Sequence, residues 1–325
     1  VNEAGDSALR QADESPRRPV NTARDWLRLS AIAAVTVLVF FFIFRDVPFA
    51  AVGEILRGAR FLPLVAGFAI TLAFPPLSAA RWRCVMEGMG CRIALRESMG
   101  LVLASWTLSI FTPSKGGDLA KAYFLRGRFP VSSVLGSVLA VRLVDTLVLL
   151  AFCLAGSLVF GWRALSIASA VVLGLGLAGA AGLLAIRLPV PARLRLKVDR
   201  LLEAVRVLAK RPRLLLIVAL LAAANWSASI AQTWLFYRAL SVAVPVAQVV
   251  AALPAAIFVG LLPVTIAGMG TRDAALIRLM AGHALPAVSL SVGILYSLCG
   301  YWLPGLAGLP FLRWALGRGK STGEP

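Results

Sequence analysis

Three clusters of ionisable residues interrupt an otherwise apolar chain, and each sets a base beside an acid. The first lies in TPSKGGDLAKAYFLRGR, Thr112 to Arg128, where Lys115, Asp118 and Lys121 surround the glycine pair Gly116 and Gly117. Backbone N–H groups at a glycine-flanked helix start hold anions, and a lysine adds a point of positive charge. Asp118 is placed to cap the following helix or to pair with Arg142. The second cluster is Arg142 and Asp145, spaced to share one helix face. The third lies in LLPVTIAGMGTRDAALIRL, Leu261 to Leu279, and brings Gly268, Gly270, Arg272 and Asp273 together.

The chemistry on offer is the holding and release of an anion, not bond breaking. GxSxG, HExxH and Walker sequences are missing, and Asp118, Asp145 and Asp273 are scattered, each with a basic neighbour. A metal-dependent glycosyl or phosphoryl transferase needs clustered acids. The single histidine, His283, has no partner at metal-ligand spacing, and Cys84, Cys91, Cys153 and Cys299 form no CxxC. The sequence therefore predicts no enzyme activity, no metal and no cofactor. A purely structural reading makes Arg142–Asp145 an internal salt bridge and the run to Arg128 a basic loop. It leaves the glycine pair, placed after half a span, without a role.

The elements that carry these residues are membrane helices. The 325 residues are 59% hydrophobic, with mean hydropathy +0.85. Apolar windows of roughly 20 residues recur, the length that crosses a bilayer core. They are continuous rather than alternating, which excludes a β-barrel. The 33 basic and 15 acidic residues give +18, which marks cytoplasmic loops facing anionic lipid rather than a nucleic-acid surface. Residues 1–26 read as a disordered cytoplasmic tail, without a cleavable signal peptide.

Spans are expected at about 27–44, 61–80, 131–161, 164–186, 214–236 and 287–312. The connector 187–213 is basic with apolar residues at helical spacing, and predicts an amphipathic helix on the inner membrane surface. Residues 313–325 are expected as a cytoplasmic tail, with no room for a soluble catalytic domain. Trp26, Trp82, Trp162, Trp234, Tyr237 and Trp314 read as interfacial anchors, and Asn225, Ser229 and Gln232 or Thr233 as a polar face that bonds neighbouring helices. The segments 99–112 and 246–266 are too short or too broken by proline for a plain span. Counting crossings makes each a re-entrant hairpin, the first entering from inside and the second from outside. Irregular backbone at that depth must face protein or a wet cavity. Such breaks, facing opposite ways in corresponding positions, are the sign of an inverted repeat.

The fold class expected is thus an all-α polytopic membrane protein, with about six full spans plus two oppositely oriented re-entrant hairpins in an inverted repeat. One transmembrane domain covers 27–312.

FTPSKGGDLAKAYFLR, VRLVDTLVLL and LPVTIAGMGTRDAAL resemble the transmembrane domain of lysylphosphatidylglycerol synthases, a family that includes stand-alone flippase-like membrane proteins. Pro113, Gly117 and Asp118 match its Pro–Gly–x–x–Gly–Glu turn, with Ser114 where glycine is common and Asp for Glu. Arg142 and Asp145 match its intramembrane Arg–x–x–Asp, and Gly268, Gly270, Arg272 and Asp273 its Gly–x–Gly–x–Arg–Glu turn, again with Asp for Glu. The resemblance implies the lipid-translocating half without the soluble aminoacyl-transfer domain. It implies passive or ion-coupled movement of an anionic or phosphate-bearing lipid across a bacterial cytoplasmic membrane, with both termini inside. Two alternatives stand beside it: translocation of a polyprenyl-phosphate-linked sugar, and a non-catalytic scaffold for a lipid-modifying or glycosyltransferase complex. A second copy of the chain or a lipid-modifying enzyme would be the protein partner. Lys115, Gly116, Gly117, Asp118, Lys121, Arg142, Asp145, Gly268, Gly270, Arg272 and Asp273 are the expected lipid-binding residues, with Lys115 and Arg272 on the head group and Asp118, Arg142, Asp145 and Asp273 in a switching network.

Overall fold

A computed structural model describes residues 49–110, 113–185, 192–260 and 270–321. The expected span at 27–44, Trp26, Gly268 and the Lys115 side chain lie outside the described part. The described residues are helical and contain no strand. Five stretches are long and apolar enough to cross a membrane: Phe61–Gly88, Val131–Val159, Arg163–Leu183, Pro212–Ala239 and Pro286–Ala307. All five spans expected within the described residues are present.

A short helix α1 (Phe49–Arg57) precedes the first of them. That span is α2 (Phe61–Ile70), a 3₁₀ turn (Thr71–Ala73) and α3 (Phe74–Gly88). The break has a local cause. Pro75 and Pro76 supply no N–H, which only the first turn of a helix tolerates. At the break the Thr71 N–H turns to Phe68 and Ala69, leaving the Gly67 carbonyl without its usual helical donor. Gln232 of a neighbouring helix fills the gap, donating to Gly67 O at 2.8 Å and to Thr71 Oγ1 at 2.9 Å. Hydrocarbon could not do this, so the polar face expected on 214–236 serves in part to satisfy the irregular turn of the first span. The helix then runs on to Gly88, past the expected end at 80, and carries Arg81 with it.

Helix α4 (Leu95–Ile110) follows, then a 3₁₀ segment (Pro113–Leu119) and α5 (Ala120–Phe124). The 3₁₀ segment folds back onto α4 so closely that a Cβ on Gly117 would sit 2.4 Å from Ser105 O and from Ser109 N. Only glycine permits that approach. At the open end of the hairpin Arg128 bonds Glu97 at 2.8 Å and Arg92 O at 2.9 Å. Next come α6 (Val131–Val159), 29 residues and about 43 Å long at 1.5 Å per residue, and α7 (Arg163–Ala185).

The basic connector forms α8 (Ala192–Lys210). It does not simply lie on a bilayer. It packs on α6, with Ala204 and Leu208 buried in the core, because its apolar stripe finds protein first. Its far end returns to the first span, where Arg211 donates to Gly88 O at 3.2 Å. The connector and the basic run around Arg92 and Arg128 therefore share one end of the bundle.

Helix α9 (Pro212–Ala239) leads to α10 (Val246–Gly260) and α11 (Thr271–Leu279). These two also fold back on each other, tied at the open end by Gln248 Nε2 to Leu279 O at 3.1 Å. Span, two shorter helices, span is thus an order that occurs twice among the described residues. The last span is α12 (Pro286–Ser297), a π segment (Leu298–Trp302) and α13 (Leu303–Ala307), the irregular turn falling just before Pro304. Residues expected as a tail continue as α14 (Leu309–Ser321), packed on α4. Trp82 and Tyr237, expected at the membrane interface, are instead fully buried, while Trp314 is exposed.

A charged cavity between the spans

A cavity of about 120 Å³ opens between the first hairpin and four spans. Ligand sites that bury a whole drug-sized molecule run to roughly 300–1,000 Å³, so this one has the scale of a head group. Ionisable residues from three elements meet there. Helix α3 supplies Arg81, the hairpin supplies Asp118 and Lys121, and α6 supplies Arg142 and Asp145. Three cations face two carboxylates, which leaves one net positive charge.

The pairing differs from the expected Arg142–Asp145 bridge. Asp145 Oδ1 lies 2.6 Å from Arg81 Nη1. Asp118 is shared: Oδ1 takes Lys121 Nζ at 3.0 Å, and Oδ2 takes Arg142 Nη2. Helix spacing puts Arg142 and Asp145 on one face, but each reaches across to a different element, and so they tie three elements together. The side chains of Asp118, Lys121 and Arg81 are nearly enclosed, whereas that of Arg142 is 39% accessible, to the cavity. Lys121 also sits 5.0 Å from the Trp82 ring, whose Nε1 donates to Ser137 Oγ at 3.0 Å.

Several lining atoms have no partner. Arg81 and Asp145 approach closely but are not aligned as a hydrogen bond, and Arg81 Nε bonds nothing. Asn225 Oδ1 and Trp226 Nε1 of α9 are likewise buried and unbonded. Most buried polar groups are satisfied, so such a concentration in one cavity is informative.

The second charged turn lies elsewhere. Gly270, at φ +98°, is the cap of α11, and Asp273 reaches back to its N–H at 3.2 Å. Arg272 is held by Asp273 Oδ1 at 2.5 Å, Gly293 O at 3.1 Å and Ser297 Oγ at 2.7 Å. Neither Arg272 nor Asp273 is among the residues that line the cavity. The expectation that the two charged turns meet in one lining is corrected accordingly. Tyr296 lies between the two, lining the cavity and carrying Arg272 4.6 Å from its ring centroid. The reason is local: Asp273 follows Arg272 directly and neutralises it in place, while α12 closes over the pair.

Sequence reasoning left Arg81, Trp226, Tyr296 and Tyr301 out of the site. Arg81 is legible in the sequence only as a charge within helix reach of the apolar run. Among the described residues no three His, Cys, Asp or Glu side chains come together as metal ligands. Cys91, outside the spans, has its thiol pushed up by burial and by Glu203, away from nucleophile behaviour.

No characterised protein gives a significant match to the chain. A family model described as the lysylphosphatidylglycerol synthase TM region matches residues 28–308, nearly the whole hydrophobic chain and all of the cavity. The chain belongs to the lysylphosphatidylglycerol synthase transmembrane-region family and is an integral membrane protein related to lipid handling.

Proposed function

We propose that the protein translocates an anionic or phosphate-bearing lipid, without catalysing a reaction on it. The observation that supports this is the cavity's charge: Arg81, Lys121 and Arg142 outnumber Asp118 and Asp145, and one of the arginines keeps a buried N–H unbonded. A charge at bilayer depth costs about 2.5–3.5 kcal/mol on insertion scales. An excess cation is retained there most readily if an anion completes it. The phosphate enters the cavity while the acyl chains stay in the bilayer, consistent with a head-group-sized space. The two hairpins act as oppositely oriented re-entrant elements of an inverted repeat, in a bacterial cytoplasmic membrane with the termini and α8 inside. Movement is passive or coupled to an ion. A polyprenyl phosphate offers the same phosphate chemistry as a phospholipid.

Purified protein in vesicles containing a tail-labelled anionic phospholipid tests this. Wild-type protein is expected to speed transfer between leaflets. Lys121→Gln and Arg142→Gln, which remove the charge but keep a polar side chain, are each expected to slow it about tenfold, equivalent to about 1.4 kcal/mol. Transfer no faster than in protein-free vesicles would favour the scaffold reading.

A further inference from the structure

We infer that the irregular turn Leu298–Trp302, with the 3₁₀ turn Thr71–Ala73 beside it, is a hinge on which the part of the molecule carrying the first hairpin rocks against the part carrying the second. The inference concerns motion of the protein and holds whatever the cavity carries. Its basis is the way the core divides. Among the described residues the buried apolar side chains form two large clusters. One gathers α3, α4, α5, α8 and α14 with the first halves of α6 and α9. The other gathers α10, α11 and α12 with the second half of α9. Two spans change cluster at a break. The first span gives Leu64 and Phe68 to the second cluster before Thr71–Ala73, and Ala79 and Trp82 to the first cluster after it. The last span gives Val292, Leu295 and Cys299 to the second cluster, and its continuation α14 gives Ala315 to the first. The breaks adjoin, since the Thr71 side chain lies within hydrogen-bonding reach of the Cys299 sulfur. The cavity opens on the same seam, lined by Phe74 and Ser78 beyond one break and by Gly300, Tyr301 and Pro304 at the other.

What lies on either side of the turn is held fast, so the turn is where relative movement is taken up. Before it, α12 packs on α11 and α1. A Cβ on Gly293 would stand 2.6 Å from Asp273 Oδ1, and Arg272 donates to Gly293 O at 3.1 Å and to Ser297 Oγ at 2.7 Å. After it, α13 and α14 pack on α4. Gly305 and Gly308 lie against α4 with no room for a Cβ, which would meet Ile110 at the one and the Leu103 carbonyl at the other. Thr107 donates to Gly305 O at 2.7 Å. The turn itself is bound more loosely. The Leu303 N–H reaches back to Leu298 O instead of one residue less, and Pro304 has no N–H to offer Gly300. Gly300 adds backbone freedom, and a Cβ there would meet nothing closer than 3.7 Å. Mid-helix 3₁₀ stretches often mark hinges, and π turns recur at functional sites. Helices α6 and α9 run through both clusters unbroken and hold the halves together as they rock.

Spin-label distances in vesicles measure the motion, in a protein whose four native cysteines are replaced. Labels at the exposed positions Gly282→Cys and Arg313→Cys span the turn, and labels at Arg96→Cys and Arg313→Cys both stay on the first-hairpin side. The pair across the turn is expected to show two distances and the same-side pair one. Gly300→Ala with Pro304→Ala, which together favour a regular helix, is expected to reduce the pair across the turn to one distance. Hydrogen exchange of the unlabelled native protein gives a second reading. The amides of Leu298–Trp302, which border the cavity, are expected to exchange about tenfold faster than those of α12 just before them. A single distance across the unaltered turn, two distances that persist in the stiffened variant, or protection over Leu298–Trp302 equal to that of α12 each overturns the hinge. Two distances that collapse in the stiffened variant, in a protein that moves no lipid between leaflets, uphold the hinge and remove translocation.

Discussion

Replacing Asp118 with alanine is expected to destabilise the protein more than any other single charge removal in the cavity. Asp118 contacts two cations, Lys121 and Arg142, and it is nearly enclosed. Without it three cations face Asp145 alone. Breaking a buried ion pair by removing one partner costs about 3–5 kcal/mol, because the other charge stays behind uncompensated. Thermal unfolding in detergent reads this directly. Asp118→Ala should melt well below wild type, and Asp118→Ala with Arg142→Ala should recover part of the loss. The same cycle assigns the other pair. Arg81→Ala and Asp145→Ala should be strongly non-additive, and Arg142→Ala and Asp145→Ala closer to additive. An Asp118→Ala protein that melts with wild type would dissolve the three-way cluster.

The second large effect is expected at Gly117. A methyl group there would stand 2.4 Å from a backbone oxygen and a backbone nitrogen of α4. Backbone cannot swing aside as a long side chain does, so the 3₁₀ segment must lift from α4 or α4 must unwind. Overpacking typically costs about 1–3 kcal/mol, and the rigid partners put Gly117→Ala at the upper end. The lift would also displace Asp118, the next residue, and couple stability to the cavity. Gly179→Ala is the matched control, since a Cβ there meets nothing within 4 Å. Folded yield and thermal stability should fall sharply for Gly117→Ala and stay near wild type for Gly179→Ala. Matching behaviour in the two variants would mean that the hairpin is not closed on α4.

Much of the fold is legible in hydropathy because a bilayer imposes length and continuity on every span. The break at Gly116 and Gly117 is legible for the same reason: a half-length apolar segment ending in proline and paired glycines has to turn. Partner choice is not legible. Arg81 and Arg83 look alike in the sequence, yet at about 100° per residue they point some 200° apart. Arg81 enters the cavity and Arg83 pairs with Glu87 outside. Arg142 and Asp145 share a face, but which cation a carboxylate takes depends on what α3 and the hairpin bring near, and spacing within α6 says nothing of that. Trp82 reads as an anchor because tryptophans at span ends usually are, and the helix that carries it runs about two turns further than hydropathy marks. The connector's amphipathic pattern is real, but a stripe that fits a membrane surface also fits α6. Asn225 stands out as a polar residue in a span, whereas nothing in the sequence tells it apart from Gln232, whose bonds are all within the protein.

The passage of a head group through the cavity is tested most directly at Ser78, a small cavity-lining residue of α3. In a protein whose four native cysteines are replaced, Ser78→Cys is treated with a bulky thiol reagent, and anionic-lipid transfer is measured in vesicles before and after. The account expects transfer to fall to the protein-free rate once the cavity is filled, and added anionic lipid to slow the labelling of the cysteine. Transfer that continues unchanged in fully labelled protein would contradict it, since the lipid would then cross by a route that does not use the cavity.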